Sequence, residues 1–318
     1  MPSPINVILG TNGKWQVLPD KPLPRNKTGK QWIHVSAENE DQLKLLFLKH
    51  NIHPLTIEDI LNPNSRIKLE VFPSYVFFIF RGFHFDKIRL TPRNFNFILT
   101  ENQIITVTID FRNTIYDMIE DWKSNQTLLS QGYEFIIHKI LDVETDHTLG
   151  IALRIEERIE HFEEQIFLNS SSLDISTVYV LRGSLQHIKK GIHQNKEMLD
   201  QLDRVKREFF GKEADAFFRD VEDHFLKILD LVDNNIESIS SALEAHLALS
   251  SRRTNEIMKI LTIMTAVMLP MSLVTGIYGM NFEYIPILNW KYGYHITLGV
   301  MTAIGVGMIA YFRLKRWI

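Results

Sequence analysis

Cysteine is absent from all 318 residues, which removes disulfides and thiolate metal sites and leaves oxygen and imidazole groups as metal donors. An excess of positive charge is missing too: 35 Lys and Arg stand against 38 Asp and Glu, a formal charge of −3. No global basic field therefore points to nucleic acid. Gly13-Lys14, Gly29-Lys30 and Gly211-Lys212 lack the upstream glycine and following Ser or Thr of a phosphate loop, so ATP is not expected as a partner. Met1–Leu9 holds no basic stretch followed by a sustained apolar core, which predicts no cleavable secretory signal and a cytoplasmic N-terminus. No nucleophile–base signature or zinc motif occurs, so enzymatic activity is not expected, and His138 and His147 read as structural or solvent-facing.

What is present is unevenly distributed. The mean hydropathy of −0.07 resembles that of a soluble chain, yet Ile260–Phe282 and Tyr292–Phe312 contain no Asp, Glu, Lys or Arg. Each run has roughly 20 residues, enough to cross a bilayer as a helix and longer than buried core helices usually stay charge-free. Arg252, Arg253 and Lys259 precede the first run, and Arg313, Lys315 and Arg316 follow the second, whereas the connecting loop carries only Glu283 and Lys291. That asymmetry predicts both ends in the cytoplasm and the loop outside, with Trp290, Tyr292, Tyr294, Tyr311 and Trp317 as interfacial anchors.

Ahead of the spans, Ile5–Leu9 and Trp32–Val35 read as strands and Gln42–Lys49 as a helix. Leu69–Phe85 is rich in β-branched and aromatic residues, and Phe95–Leu99 with Ile104–Ile109 predicts a hairpin across Glu101-Asn102. From Asn113 to Pro270 the chain has no proline and few glycines, so its middle is expected to be almost wholly helical. Leu153, Ile155, Ile159, Phe162 and Ile166 form an apolar stripe beside Glu156, Glu157, Glu160, Glu163 and Glu164. Ile175–Leu202 carries His187, Lys189, Lys190, His193 and Lys196 on its polar side, charges that could partner that acidic helix electrostatically; Ser170–Ser172 and Gly211 mark turns. A third helix has a seam of Phe217, Val221, His224, Ile228, Leu231, Ile236, Ile239, Leu243 and Leu247 and continues without a breaker into the first span. From Ala214 to Gly279 such a helix would be of order 100 Å long, and association with further copies is the expected way to bury its stripe.

On a helical wheel, Asn255, Met258, Thr262, Thr265, Leu269, Ser272, Gly276 and Gly279 fall on one arc of the first span. Hydroxyls and an amide in hydrocarbon need partners or water, so this arc faces other helices or an aqueous path. It carries no charge, so a passing cation would meet neutral oxygens and leave readily. Pro270 predicts a local bend. An inside-negative potential of ~100 mV supplies a divalent cation with about 4.6 kcal/mol, enough for accumulation without another energy source.

Tyr278-Gly279-Met280-Asn281-Phe282 closes the first span, and Pro286, Trp290, Gly293 and Tyr294 precede the second; the N-terminal part holds His53-Pro54, Glu58-Asp59-Ile60, Arg66, Lys68 and Tyr75. In these residues, and in its basic tail and long helix, the chain resembles the CorA magnesium channel family along its whole length. The resemblance implies an α+β membrane protein: an N-terminal α/β cytoplasmic domain over 1–112, a helical region over 113–212 and a stalk helix over 213–256. A pore-lining span over 257–280, an external loop over 281–292, a second span over 293–312 and a basic tail over 313–318 would follow. It implies a homopentamer in the lipid bilayer of the cell membrane that passes Mg²⁺, with Co²⁺ or Ni²⁺ as further candidates. Tyr278, Gly279, Met280 and Asn281 would form the selectivity filter, where five Asn281 amides meet a hydrated ion. Asn255, Met258, Leu261, Thr262, Thr265, Leu269, Ser272 and Gly276 would line the pore, with Met258 and Leu261 as its gate. Asp86 of one subunit and Asp220 of its neighbour would hold a regulatory Mg²⁺ that keeps the channel shut. Ile287 stands where the family commonly has a loop glutamate, which leaves Glu283 as the loop's one acid. Two alternatives remain open: a zinc-transporting relative, and a membrane-anchored oligomeric scaffold or sensor without transport.

Overall fold

The computed structural model describes residues 6–11, 14–19, 31–36, 44, 47, 51–101, 103–109, 115, 118, 132–168, 174–205, 210, 214–281 and 290–317. The chain divides into two compact units, Met1–Ala242 and Leu243–Ile318.

In the first unit, β1 (Asn6–Thr11) and β2 (Lys14–Pro19) form an antiparallel pair. A five-stranded sheet follows, built from β3 (Gln31–Ser36), β4 (Leu69–Phe72), β5 (Tyr75–Asp86), β6 (Arg89–Leu99) and β7 (Gln103–Thr108) in the order β3-β7-β6-β5-β4. Only β3 and β7 run parallel. The expected hairpin is β6–β7, paired from Leu99↔Ile104 to Asn96↔Val107. The aromatic run before it splits at Pro73-Ser74 into the antiparallel pair β4–β5, because proline's fixed φ favours a turn there. A second hairpin, β5–β6, turns between Asp86 and Arg89, with Lys87 at a φ of 51°. Gln42–Lys49 lies largely outside the described residues, of which Lys44 and Phe47 are helical.

Val76-Phe77-Phe78-Ile79-Phe80 is buried throughout, as an unbroken apolar run should be in a strand covered on both faces. Phe77 and Ile79 point, with Ile33, Val35, Ile98, Ile105 and Val107, toward Ile57 and Ile60 of α1 (Pro54–Leu61). On the opposite face Phe78 stacks on Phe97 at 4.6 Å. There Thr106 Oγ1 accepts from Trp32 Nε1 and lies 3.0 Å from His34 Nδ1, while burial pushes His34 down to about 3, so that it stays neutral.

The N-terminal string singled out in the sequence builds one local clamp. His53 caps α1, its Nδ1 accepting from the Leu55 amide, and Pro54 opens the helix where no N–H is needed. The His53 amide donates to the Tyr75 hydroxyl, which also meets Thr56 Oγ1 at 3.0 Å. Lys68 bridges Asp59 at 2.6 Å and Glu70 at 2.9 Å. These residues tie a helix start to the β4–β5 turn.

Three long helices complete this unit: α2 (Tyr133–Phe167), α3 (Ile175–Val205) and α4 (Ala214–Tyr278), the last of which ends in the second unit. In α2, Ile155, Ile159, Phe162 and Ile166 are buried as expected, whereas Leu153 turns outward. The lysines of α3 do not serve the acidic face of α2: Lys189 pairs with Asp233 at 2.6 Å and Lys196 with Glu222 at 2.5 Å, both on α4. The seam of α4 matches the expected one at Val221, Ile228, Ile239 and Leu243, which are buried, whereas Phe217, His224, Leu231 and Ile236 are only partly covered. The buried seam runs through Phe218, Val221, Phe225, Ile228, Val232, Asn235, Ile239 and Ala242, with strict three-and-four spacing, and Leu247 is exposed. Asn195 of α3 accepts from the Arg81 amide and donates to its carbonyl at 2.9 and 2.8 Å, satisfying strand groups that no neighbouring strand reaches.

The second unit pairs the end of α4 with α5 (Gly293–Leu314). Both helices are long and apolar enough to cross a membrane, and their apolar windows are left almost wholly uncovered, unlike core helices of a soluble protein.

Phe78→Ala should lower the unfolding free energy of the first unit by about 3–5 kcal/mol, whereas Val71→Ala, on the exposed edge strand, should stay within about 0.5 kcal/mol. Denaturant titration of the full chain, followed by tryptophan fluorescence, measures both.

Candidate functional site

The last seven turns of α4 have two unlike sides. Ile263, Ala266, Val267, Pro270, Met271, Val274 and Tyr278 are partly covered, and this side meets α5. The Met271 methyl lies against Gly305, where a Cβ would collide with it. Thr297 Oγ1 stands 2.7 Å from the Tyr278 hydroxyl and 2.9 Å from the Gly293 carbonyl. With one proton on each hydroxyl, both contacts are satisfied when the threonine donates to the carbonyl and accepts from the tyrosine. Among the described residues the antiparallel hairpin thus combines apolar packing at Met271 with a polar tie at Tyr278.

Asn255, Met258, Leu261, Thr262, Thr265, Leu269, Ser272 and Gly276 are all exposed. At 100° per residue they lie about half a turn from the side that meets α5. Thr262 and Thr265 donate to the carbonyls of Met258 and Leu261 at 2.8 and 2.9 Å, so part of their hydrogen bonding is met within the helix. Beyond Tyr278 the helix closes by donation from the Gly279 amide to the Thr275 carbonyl at 3.0 Å and from Met280 to Ile277 at 3.3 Å. A Cβ at Gly279 would sit 3.3 Å from that Thr275 oxygen. Met280 and Asn281 are exposed at this end. Lys291 is exposed beside α5, whereas Glu283 and Ile287 lie outside the described residues.

The two candidate regulatory aspartates are not joined within one chain: no hydrogen bond or ion pair links them among the described residues. Asp86 ends β5 and is exposed. Asp220, on the first turns of α4, accepts from His138 Nε2 at 3.0 Å. That bond, helped by the nearby His224 and Lys227, holds its carboxyl below the ordinary aspartate range, so it stays ionised.

Around Asp220 stand residues that the sequence reading passed over. His138, Asp142 and Asp220 bring their donor atoms within 4.8 Å of one another, and so do Asp142, Asp146 and His224. His224 Nδ1 is 3.4 Å from Asp142 and 3.8 Å from Asp146. A signal was available: His138, Asp142 and Asp146 recur every fourth residue on α2, and Asp220 and His224 do so on α4, which puts each set on one helix face. Carboxylates of this kind can hold Mg²⁺ through its waters, and the imidazoles add donors suited to Co²⁺, Ni²⁺ or Zn²⁺.

Residues 27–316 match the family model described as CorA-like Mg²⁺ transporter protein. The chain is 31% identical over 298 residues to the cobalt/magnesium transport protein CorA of Thermotoga maritima, covering 92% of this chain and 85% of the relative. Its structure superposes on the complete CorA magnesium transporter of Methanocaldococcus jannaschii with a TM-score of 0.87 at 23% identity, covering the whole of both chains. The ZntB cytoplasmic domain of Vibrio parahaemolyticus shares the fold at a TM-score of 0.62 and 11% identity, over 79% of this chain and all of that domain.

Gly305→Leu should drive α5 off Met271 and cost about 1–3 kcal/mol, whereas Gly307, which faces open space, should accept alanine with little change. Thermal unfolding of the full chain in detergent compares the two.

Proposed function

Because the chain belongs to the CorA-like family of Mg²⁺ transporter proteins, we propose that several copies of its α4 enclose a water-filled path for Mg²⁺ across a bilayer. The observation that carries this reading is the exposed polar side of α4, turned away from the second span of its own chain. In hydrocarbon that side needs water or another copy of itself. A homopentamer supplies both. Five Asn281 amides then ring the outer mouth with neutral carbonyl oxygens that accept from the tightly held waters of Mg²⁺, and Gly279 leaves room for the hydrated ion. Met258 and Leu261 form an apolar neck that closes by dewetting, with Asn255 beneath it. Co²⁺ and Ni²⁺ are further cargo, a reading that the name of the Thermotoga relative supports for cobalt. The basic residues flanking the spans place both ends in the cytoplasm and the loop with Glu283 and Lys291 outside.

Regulation follows from the first unit. Mg²⁺ held between Asp86 of one subunit and Asp220 of the next neutralises their repulsion and keeps neighbouring cytoplasmic units together; its loss frees α4 to open the neck. The lowered carboxyl of Asp220 keeps this ligand charged and ready.

Vesicles containing the full chain should take up Mg²⁺ under an inside-negative potential, and Asn281→Ala should abolish uptake; equal uptake by the variant, or none by the parent, overturns the pore. Zn²⁺ uptake in place of Mg²⁺ would assign the chain to zinc transport. Asp86→Asn or Asp220→Asn should raise uptake at millimolar internal Mg²⁺ and remove the protection Mg²⁺ gives against proteolysis; unchanged protection refutes the sensor.

A further inference from the structure

The stripe of α4 between Met258 and Leu269 holds two apolar gate residues and two hydroxyls, Thr262 and Thr265, and no charge. At ~1.5 Å per residue this segment measures about 16 Å along the helix, long for an ion to cross with no polar contact. Each threonine hydroxyl has one proton and two lone pairs. In Thr262 the proton goes to the Met258 carbonyl at 2.8 Å, and in Thr265 to the Leu261 carbonyl at 2.9 Å. What each turns outward is therefore an oxygen that can only accept. Ser272 lies further along the same exposed stripe.

We propose that Thr265, with Thr262 three residues before it, makes the neck an acceptor-only passage that admits cations with their waters and turns anions away. The inference rests on the pore reading given above. Waters bound to Mg²⁺ point their hydrogens outward and are polarised by the metal, so a ring of threonine oxygens answers them directly without removing any. An anion arriving at the same ring needs donors, and the threonines can provide them only by giving up their bonds to the helix backbone. Selection by sign of charge then needs no carboxylate in the pore, and a weakly held cation can leave. Thr265 also breaks the apolar length between Leu261 and Leu269, giving water a foothold when the helices part.

The test uses full-length chain in vesicles, with Mg²⁺ and chloride uptake read by fluorescent indicators and the assembly checked by size and thermal unfolding. Thr265→Val keeps the shape and removes the oxygen; Thr265→Ser keeps the hydroxyl. With assembly unchanged, the valine variant should slow Mg²⁺ uptake at least about tenfold, and the serine variant should stay within about threefold of the parent. Chloride uptake should remain absent in the parent. If Thr265→Val conducts like the parent while Asn281→Ala is silent, the role of Thr265 is wrong and the pore stands. Equal slowing by valine and serine would assign the effect to packing and overturn the proposal. Chloride passage through the parent would overturn it as well, and a parent that carries no Mg²⁺ removes the pore and this inference together.

Discussion

A hydroxyl or amide in hydrocarbon must find a partner, and within its apolar span α4 meets its own chain, among the described residues, along the side that faces α5. Met271 and Tyr278 use that side, against Gly305 and Thr297. The opposite side, from Asn255 to Gly276, is exposed among the described residues. Backbone carbonyls absorb the threonine protons, whereas Asn255 and Ser272 stand exposed on the same side with large apolar residues between them. Assembly is the way such a helix becomes stable in a membrane.

The same constraint divides labour along the chain. In the first unit, stability rests on a doubly covered sheet, in which Phe78, Phe80 and Phe97 are fully enclosed, and on short polar ties such as Asn195 to Arg81. None of these needs another copy. Exposed Asp86, and Asp220 with its histidine, instead put charge at the surface, where a divalent cation can bring two chains together at little desolvation cost. Folding and assembly thus draw on different residues.

Much of this was legible in the sequence because the signals are local. Charge-free runs mark the spans, the lack of proline marks the helices, and Phe95–Leu99 with Ile104–Ile109 marks a hairpin. The stripe on α4 could be drawn on a wheel before any coordinates. What escaped depends on distant partners. Nothing near Trp32 says that β3 lies parallel to β7, and nothing near Lys189 says that its carboxylate is Asp233. The α4 seam is legible at Val221, Ile228, Ile239 and Leu243, but the pattern drawn from sequence takes neighbouring apolar residues such as Phe217 and Leu231 where packing takes Phe218 and Val232. His138 looked incidental since its meaning lies in Asp220, on another helix. The string from His53 to Tyr75 forms a structural clamp, because its members are joined to one another by hydrogen bonds and ion pairs.

The hairpin of α4 and α5 has its one described side-chain hydrogen bond, Tyr278 to Thr297, at the end next to Asn281. Further along, the flexible Met271 thioether lies against Gly305. Such a hairpin is anchored at its tip and held by apolar packing at Met271. A swing of α4 about its tie would move Met258 far more than Asn281, so the proposed gate could travel while the proposed filter keeps its geometry.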